Sequence, residues 1–243
     1  MENSVEKQVT PLQSEVRQPN PSLPLTRIQK LIAKRMLYSK QTKPCFYINL
    51  KADITDLMAL RHELKKSIGF RVTTNAFFIR SLALAAGKYP LMVGQIDGDD
   101  IKIADVINVG FAVNAPHGLI VPVVKDADKK GLVEIAHIEE SLTDRARDNT
   151  LTLSEIEGET IALSNLGAYG IDNFVAIVPP PASTVLAIGN VMREIVPLNG
   201  SIAKRKLIYM SLAVDYRTIT GTYAAQFLKF IKYQLENPRV LTD

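Results

Sequence analysis

Residues 215–221, Asp-Tyr-Arg-Thr-Ile-Thr-Gly, combine a carboxylate, a phenol, a guanidinium and two hydroxyls that could move a proton or bind a substrate. Tyrosine has a reference pKa near 10, so Tyr216 would serve as a general base at neutral pH only if its pKa fell by about 3 units, roughly 4 kcal/mol of differential stabilisation. Arg217 supplies a positive charge, but neighbouring side chains on a strand point in opposite directions. We therefore interpret Tyr216 as filling space and hydrogen-bonding through its hydroxyl rather than as a base.

The other candidate residues point away from metal or thiol chemistry. Cys45 is the only cysteine, so no internal disulfide can form, and the three histidines show no metal-ligand spacing. Cys45 is followed by Phe46 and reads as a small buried hydrophobe. His117 lies in a Pro-His-Gly turn and is predicted to face solvent rather than to act as a base. We expect a reduced, metal-free protein.

Composition limits the function classes. The 243 residues are 47% hydrophobic, enough for one substantial core. The 29 basic and 25 acidic residues are interspersed, which argues against a nucleic-acid surface despite the net charge of +4. The amino terminus lacks the apolar core of a signal peptide, and no apolar run approaches the ~20 residues that span a bilayer. These features predict a soluble, cytoplasmic protein.

Patterning divides the chain into a tail and one core domain. Residues 1–23 are polar and proline-containing and are predicted to be a disordered tail or linker, whereas residues 24–243 form the core. Helices are predicted from Thr26 to about Gln41, from residues 53–56 to near Gly69, over 74–88, around 132–142 and over 222–235. Strands are predicted over 45–51, in short pieces between 91 and 124, and over 159–163, 184–191 and 204–214. This alternation indicates a mixed α/β sheet domain.

Residues 215–221 resemble the active-site signature of the 2-oxo acid dehydrogenase acyltransferases, the dihydrolipoamide acyltransferase components, which carry Asp-His-Arg-x-x-Asp-Gly. The related chloramphenicol acetyltransferase fold shares the His-x-x-x-Asp-Gly core. Segments 32–40, 110–124 and 163–171 are similar to the same family, in family order, so the resemblance covers roughly residues 24 to 241. It implies a chloramphenicol acetyltransferase-like α/β fold, a mixed sheet with flanking helices, that forms trimers.

The resemblance also implies active sites at subunit interfaces, in a channel that admits coenzyme A and a lipoyl arm. In the family, a histidine takes the proton of the attacking thiol, a serine donates to the oxyanion, and an aspartate is a structural charge partner. These positions fall on Tyr216, Ser164 and Thr220, so the oxyanion donor is kept and the base is not. Two alternatives stay open: Ser164 could be only a turn residue before Asn165, and Thr220 could cap the last helix.

Arg35, Ser39 and Lys40 match the family segment near coenzyme A, although a charged helix face is the simpler explanation for them. The resemblance implies no covalent cofactor, binding of coenzyme A or acyl-coenzyme A, and a lipoyl group supplied by another chain. The residues before the core are too few to fold as a lipoyl or subunit-binding domain. The apolar segment that joins family trimers is shorter here, which leaves assembly beyond a trimer open.

Three functions are compatible with these observations. Loss of a general base lowers a rate by about 10²- to 10⁴-fold, although proximity and Ser164 could sustain slow transfer. The first hypothesis is a pseudoenzyme: a non-catalytic or strongly impaired core subunit of a 2-oxo acid dehydrogenase-type complex, as a homotrimer or a mixed trimer with an active paralogue. The second is an acyltransferase that moves an acyl group between coenzyme A and a thiol or other nucleophile without the histidine. The third is a coenzyme A-binding regulator. No nucleic-acid or membrane partner is expected.

Overall fold

A computed structural model of the protein describes residues 22–116, 118–198 and 200–242. Most of the predicted tail and His117 lie outside these ranges. The α-helices are α1 Arg27–Thr42, α2 Thr55–Ile68, α3 Thr74–Lys88, α4 Leu132–Arg147 and α5 Gly221–Glu236. The strands are β1 Cys45–Asp53, β2 Gly94–Asp97, β3 Asp100–Ile103, β4 Val109–Phe111, β5 Val113–Ala115, β6 Gly118–Ile120, β7 Val123–Val124, β8 Ile161–Asn165, β9 Thr184–Ile188, β10 Met192–Leu198 and β11 Ser201–Asp215.

One seven-stranded sheet organises the fold, in the order β1-β11-β9-β8-β4-β7, with β10 also paired to β11. The pairs β4–β8 and β8–β9 are parallel, while β11 runs antiparallel to β1, β9 and β10. Two small hairpins, β2–β3 and β5–β6, lie apart from this sheet. The mixed sheet predicted from the sequence is confirmed.

Helices α3 and α5 form the centre of the core. The apolar side chains of α3 are buried almost without exception, and α5 buries the face predicted from its periodicity. A hydrogen bond of 2.8 Å from the buried Ser81 hydroxyl to Gln234 joins the two helices. Tyr89, which follows α3, stacks edge-on against Phe227 of α5. These contacts fix α5, and hence the turn that precedes it, against the rest of the domain.

Local signals place the helix ends where the sequence predicts them. Thr26 caps α1 in a reciprocal capping box with Gln29. Helix α2 begins at Thr55, because Asp53 completes β1 and accepts hydrogen bonds from the Thr55 amide and hydroxyl at 2.9 and 2.6 Å. Gly69 ends α2 in the left-handed region, at φ +71°, which glycine adopts without a steric penalty.

Two predictions differ from the structure. The sequence analysis placed no strand over Met192–Leu198, and it began the last strand at residue 204 instead of Ser201. Strands β10 and β11 form one long hairpin, and in its outer half these two strands pair only with each other. Side chains such as Ile195 and Ile202 are exposed there. This exposure hides the alternating pattern of a half-buried strand. None of the helices in the described ranges is long and apolar enough to cross a membrane.

Replacing Phe227 by Ala should lower the free energy of unfolding by about 3–5 kcal/mol, because the ring is fully buried between α3 and α5 and its loss leaves a cavity. Phe230 lies on the same helix and is only partly buried. Phe230→Ala is therefore the matched control and should lose clearly less. Urea unfolding at one fixed protein concentration measures both values, and equal losses would contradict this account of the core.

Candidate functional site

The turn between β11 and α5 is organised by an ion pair. Asp215 ends β11 and is 2% exposed, and the Arg217 guanidinium donates to both of its carboxylate oxygens at 2.9 and 2.6 Å. The backbone amide of Arg217 donates to the same carboxylate at 3.1 Å. Such two-point contacts are among the stronger hydrogen bonds in proteins. The hydrogen bond to Asp215 raises the pKa of Arg217. The guanidinium therefore stays charged and bonded to Asp215.

Tyr216 points away from this ion pair into solvent. Its backbone amide donates to the Pro44 carbonyl at 3.1 Å, its ring centroid lies 5.7 Å from that of Phe46, and 56% of the residue is exposed. Tyr216 and Arg217 lie in the turn that follows β11 and not on the strand, so the alternation of side chains along a strand does not apply to them. The hydrogen bond expected from the tyrosine hydroxyl is not formed to any residue in the described ranges. Nothing in this part of the chain orients the phenol for proton transfer.

Thr220 caps α5. Its side-chain oxygen accepts a hydrogen bond from the Tyr223 amide at 3.4 Å, and its backbone is extended, as an N-cap requires. The capping role raised in the sequence analysis is confirmed. The hydroxyl therefore has a structural function whether or not it contributes to chemistry.

Ser164 lies on β8 and lines a mostly apolar cavity of about 580 Å³. The cavity lies between one face of α1, the strands β6 and β8, and residues 174–179. The Ser164 hydroxyl forms no hydrogen bond to the described part of the chain. The turn bond after β8 comes instead from Asn165, whose side-chain oxygen accepts from the Gly167 amide at 2.9 Å. Ser164 is consequently free to donate into the cavity, and the turn is held by its neighbour.

Ser164 and Tyr216 are not brought together within one chain. Ser164 pairs with Ala187 of β9, which pairs with Ser211 of β11, so Ser164 and Ser211 lie level in the sheet and two strands apart. Tyr216 comes five residues later, which is roughly 16 Å further along at about 3.3 Å per residue. Within one chain the two side chains are therefore too far apart to act on the same reacting atom.

The three α1 residues predicted to bind coenzyme A do not converge on one site. Arg35 lines the Ser164 cavity and donates to Glu159 at 3.3 Å and to the Pro180 carbonyl. Ser39 is 1% exposed and donates to the Val178 carbonyl at 2.5 Å. Lys40 is exposed and donates to the Tyr47 hydroxyl at 3.4 Å. Two of the three thus tie α1 to the loop that precedes β9.

The apolar face predicted for α1 is only partly covered. Ile32 and Met36 are half-buried at the cavity, and Leu31 lines the same cavity while remaining 60% exposed. The helical periodicity was correct, but within one chain this face borders a cavity instead of a packed core. The side chain of Ile28, assigned to the same face, lies outside the described part.

Sequence reasoning missed Glu159, which it treated only as the start of a strand. The carboxylate is 3% exposed and lines the Ser164 cavity, with one oxygen paired to Arg35 and the other without a hydrogen-bond partner in the described residues. Burial raises the pKa of Glu159, and the charges of Arg35 and Lys125 oppose that rise. The available signal was weak: Glu159 lies two residues before the apolar start of β8, and a glutamate is rarely buried unless it is paired.

Residues 17–242 match the model of the 2-oxoacid dehydrogenases acyltransferase catalytic domain. The chain belongs to this acyltransferase family. A relative from Rickettsia bellii, the dihydrolipoyllysine-residue acetyltransferase component of the pyruvate dehydrogenase complex, is 32% identical over 222 residues, which are 90% of this chain and 53% of the relative. The chain thus spans about half the length of the curated relatives it matches.

Solved acyltransferase structures superpose over almost the whole chain. A probable dihydrolipoamide acetyltransferase from Listeria monocytogenes has a TM-score of 0.85 at 31% identity, covering 90% of this chain and 95% of that one. The Azotobacter vinelandii dihydrolipoamide acetyltransferase, whose serine, histidine and asparagine were investigated for their role in the catalytic mechanism, has a TM-score of 0.87 at 26% identity, covering 96% and 98%. Chloramphenicol acetyltransferase, at 13% identity, 83% and 94% coverage and a TM-score of 0.54, shares the fold. The predicted fold and family are confirmed.

Replacing Glu159 by Gln should alter how the stability of this acyltransferase domain depends on pH. Because burial raises the folded-state pKa of Glu159, the folded chain holds its proton more tightly than the unfolded chain, and stability falls as pH rises from the unfolded to the folded pKa. The variant has no such proton. Its free energy of unfolding relative to the parent should therefore increase by up to about 1.4 kcal/mol per pH unit across that window.

Urea unfolding of both proteins from about pH 4 to 8 measures this difference. The exposed Glu157 lies two residues earlier, so Glu157→Gln is the matched control. The same pH-dependent gain in both variants would show that burial of Glu159 is not its cause.

Proposed function

We propose that this chain is a core subunit of a 2-oxo acid dehydrogenase-type complex whose own acyl transfer is lost or strongly impaired. One observation carries the proposal. The serine and histidine of the Azotobacter enzyme are separated by as many residues as Ser164 and Tyr216, and its histidine and asparagine by as many as Tyr216 and Thr220. In this chain the serine position is kept, and a tyrosine stands where the histidine would be.

The geometry of Tyr216 supports the loss of general-base function. Histidine suits proton transfer because its pKa lies near working pH, whereas an ordinary phenol holds its proton there. The neighbouring Arg217 is committed to Asp215, and the Tyr216 hydroxyl has no hydrogen-bond partner in the described residues. The ring rests on Phe46, and the backbone is tied to Pro44. These contacts hold the turn in shape without making the phenol a base.

The assembly we propose follows from the separation of Ser164 and Tyr216. A shared site needs Ser164 of one subunit and the 215–221 turn of another, as in a trimer with interfacial sites. A solved neighbour is the cubic core of a pyruvate dehydrogenase complex, which supports an assembly of this type. We extend the proposal to a homotrimer or a mixed trimer with an active paralogue, alongside other dehydrogenase components. In a mixed trimer, Ser164 of this chain would complete a site whose histidine comes from the paralogue.

The cavity beside Ser164 fits part of coenzyme A. Its apolar lining suits the thioester arm of an acyl carrier. The cavity offers little to the phosphate groups of coenzyme A, because Arg35 is the only cation among the described lining residues and it is paired with Glu159. A neighbouring subunit would have to supply the cations for those phosphates. The lipoyl group, in this proposal, is carried by another chain.

A second candidate function is an acyltransferase that works without the histidine. The free hydroxyl of Ser164 beside an apolar cavity favours it, since a positioned donor can stabilise an oxyanion. A nucleophile that is already anionic needs no base. A regulator that binds coenzyme A without reacting is the remaining alternative from the sequence.

Restoring the family residues should create activity. The parent is expected to show turnover of acetyl-coenzyme A with dihydrolipoamide at or near the detection limit, and the Tyr216→His, Thr220→Asp double variant should exceed that level by about 10²- to 10⁴-fold, the usual range for general-base help. Aspartate is also a good N-cap, so α5 should remain intact. A steady-state thioester assay of the purified trimer measures both rates.

Two controls make this test specific. Tyr216→Phe keeps the ring on Phe46 but adds no base, so it should stay silent. Adding Ser164→Ala to the active double variant should lower turnover by about 10²-fold or more, as loss of an oxyanion donor does. Rapid turnover by the parent would refute the proposed loss of activity and favour the second candidate.

Mixed assembly can be tested by co-expression with an active paralogue and native mass spectrometry. We expect trimers that contain both chains, because this chain keeps the Ser164 half of the site. Ser164→Ala in this chain should then reduce the activity of the mixed trimers without changing their composition. Purely homomeric species from co-expressed chains would contradict mixed assembly.

A further inference from the structure

A groove of about 620 Å³ lies between α2, the residues that follow it, and β11. We call it the basic groove. It is lined by Arg61, His62, Lys65, Arg71 and Lys206, and no aspartate or glutamate is among its described lining residues. It shares no lining residue with the Ser164 cavity. Four permanent positive charges, here called the groove cations, therefore face one concave surface apart from the candidate acyl-transfer site.

Arg61 is held in place by one hydrogen bond and keeps other hydrogen-bond donors available. Its Nε donates to the Val72 carbonyl at 2.8 Å, which fixes the plane of the guanidinium. Its two terminal nitrogens form no hydrogen bond to residues in the described ranges. Burial, and then the like charge of Arg71, lowers the pKa of Arg61. A fixed guanidinium with free donors beside a second cation is pre-organised for an anion.

Lys206 is anchored to the first turn of α2. Its backbone amide donates to the Thr55 hydroxyl oxygen at 2.7 Å, and its carbonyl accepts from the Ile54 amide at 2.8 Å. The Thr55 hydroxyl in turn donates to Asp53 at 2.6 Å. This network sets the distance between β11 and α2 and so keeps Lys206 across the groove from the α2 cations.

Acidic residues close to the groove do not neutralise it. Asp56 and Asp53 pair with Arg205, and Glu63 pairs with Arg239. None of the groove cations forms an ion pair with another residue that the structure describes. The presence of a lysine at position 65 is explained in part by its place in the last turn of α2, where a positive charge is favourable. That explanation does not extend to Arg71 and Lys206, which lie outside the helix.

We propose that the basic groove binds a small molecule that carries two or more phosphate groups, with diphosphate as its minimal form. Its volume falls in the range of small-ligand sites, and arginine and lysine are the side chains that bind phosphate oxygens. Met58 and Ala59 add an apolar lining that could contact an organic part of the ligand. The proposal does not depend on the acyl-transfer function.

Isothermal titration calorimetry of the full chain with inorganic pyrophosphate, at near-physiological salt, tests this site. Arg71→Gln removes an exposed groove cation and should weaken binding about tenfold or more, as expected for loss of a charge-assisted contact. Lys66→Gln is the matched control, because Lys66 is an exposed cation on α2 that does not line the groove. It should change the affinity much less than Arg71→Gln does, because salt screens the interaction between exposed charges that are not in contact. Thermal unfolding verifies that both variants are folded.

The outcomes are distinct. Tighter binding of adenosine diphosphate than of pyrophosphate, lost in Arg71→Gln, supports a phosphorylated organic ligand that also uses the apolar lining. Absence of pyrophosphate binding overturns the proposal, as does equal weakening by Arg71→Gln and Lys66→Gln. Citrate binding as tightly as pyrophosphate also overturns it, since the groove would then recognise negative charge in general, as a docking surface for acidic protein segments would.

Discussion

The structure depends on how β11 is hydrogen-bonded. Its outer half pairs with β10 alone, and its inner half is enclosed between β1 and β9. The backbone of the inner half thus pairs with a strand on each side, as burial of its polar groups requires. The strand can end only where this pairing stops, at Asp215. The same pairing sets the position of the 215–221 turn, the start of α5 and the side chain of Lys206 at the basic groove.

Two ion pairs limit how far Arg217 and Arg35 are available to bind a substrate. Arg217 closes on the buried Asp215, and Arg35 closes on the buried Glu159. A buried carboxylate without its partner would be strongly destabilising, so each arginine is held by the fold. Neither guanidinium is then fully available to a substrate. The cations of the basic groove form no ion pair within the described residues. For this reason we infer an anionic ligand for that groove.

The contacts that shape the turn do not require a catalytic base. Thr220 caps α5, and Tyr216 packs on Phe46 while its amide bonds to Pro44. These contacts need only a residue at position 220 that can cap a helix and a residue at position 216 that can pack on an aromatic ring. Since Ser164 lies on a different strand, far from Tyr216 in the same chain, its packing is independent of what happens at the turn. In the shared site that we propose, replacement of the base would therefore leave both halves structurally intact.

The sequence alone determined the family, the mixed sheet and the helices of the described ranges, because motifs, periodicity and helix caps are local properties. It anticipated that Thr220 could cap α5. Tertiary structure decided the rest. The isolated pairing of β10, the burial of Glu159 and the separation of Ser164 from Tyr216 arise from contacts between distant segments. The basic groove likewise exists only because β11 places Lys206 beside α2, a proximity that no local pattern encodes.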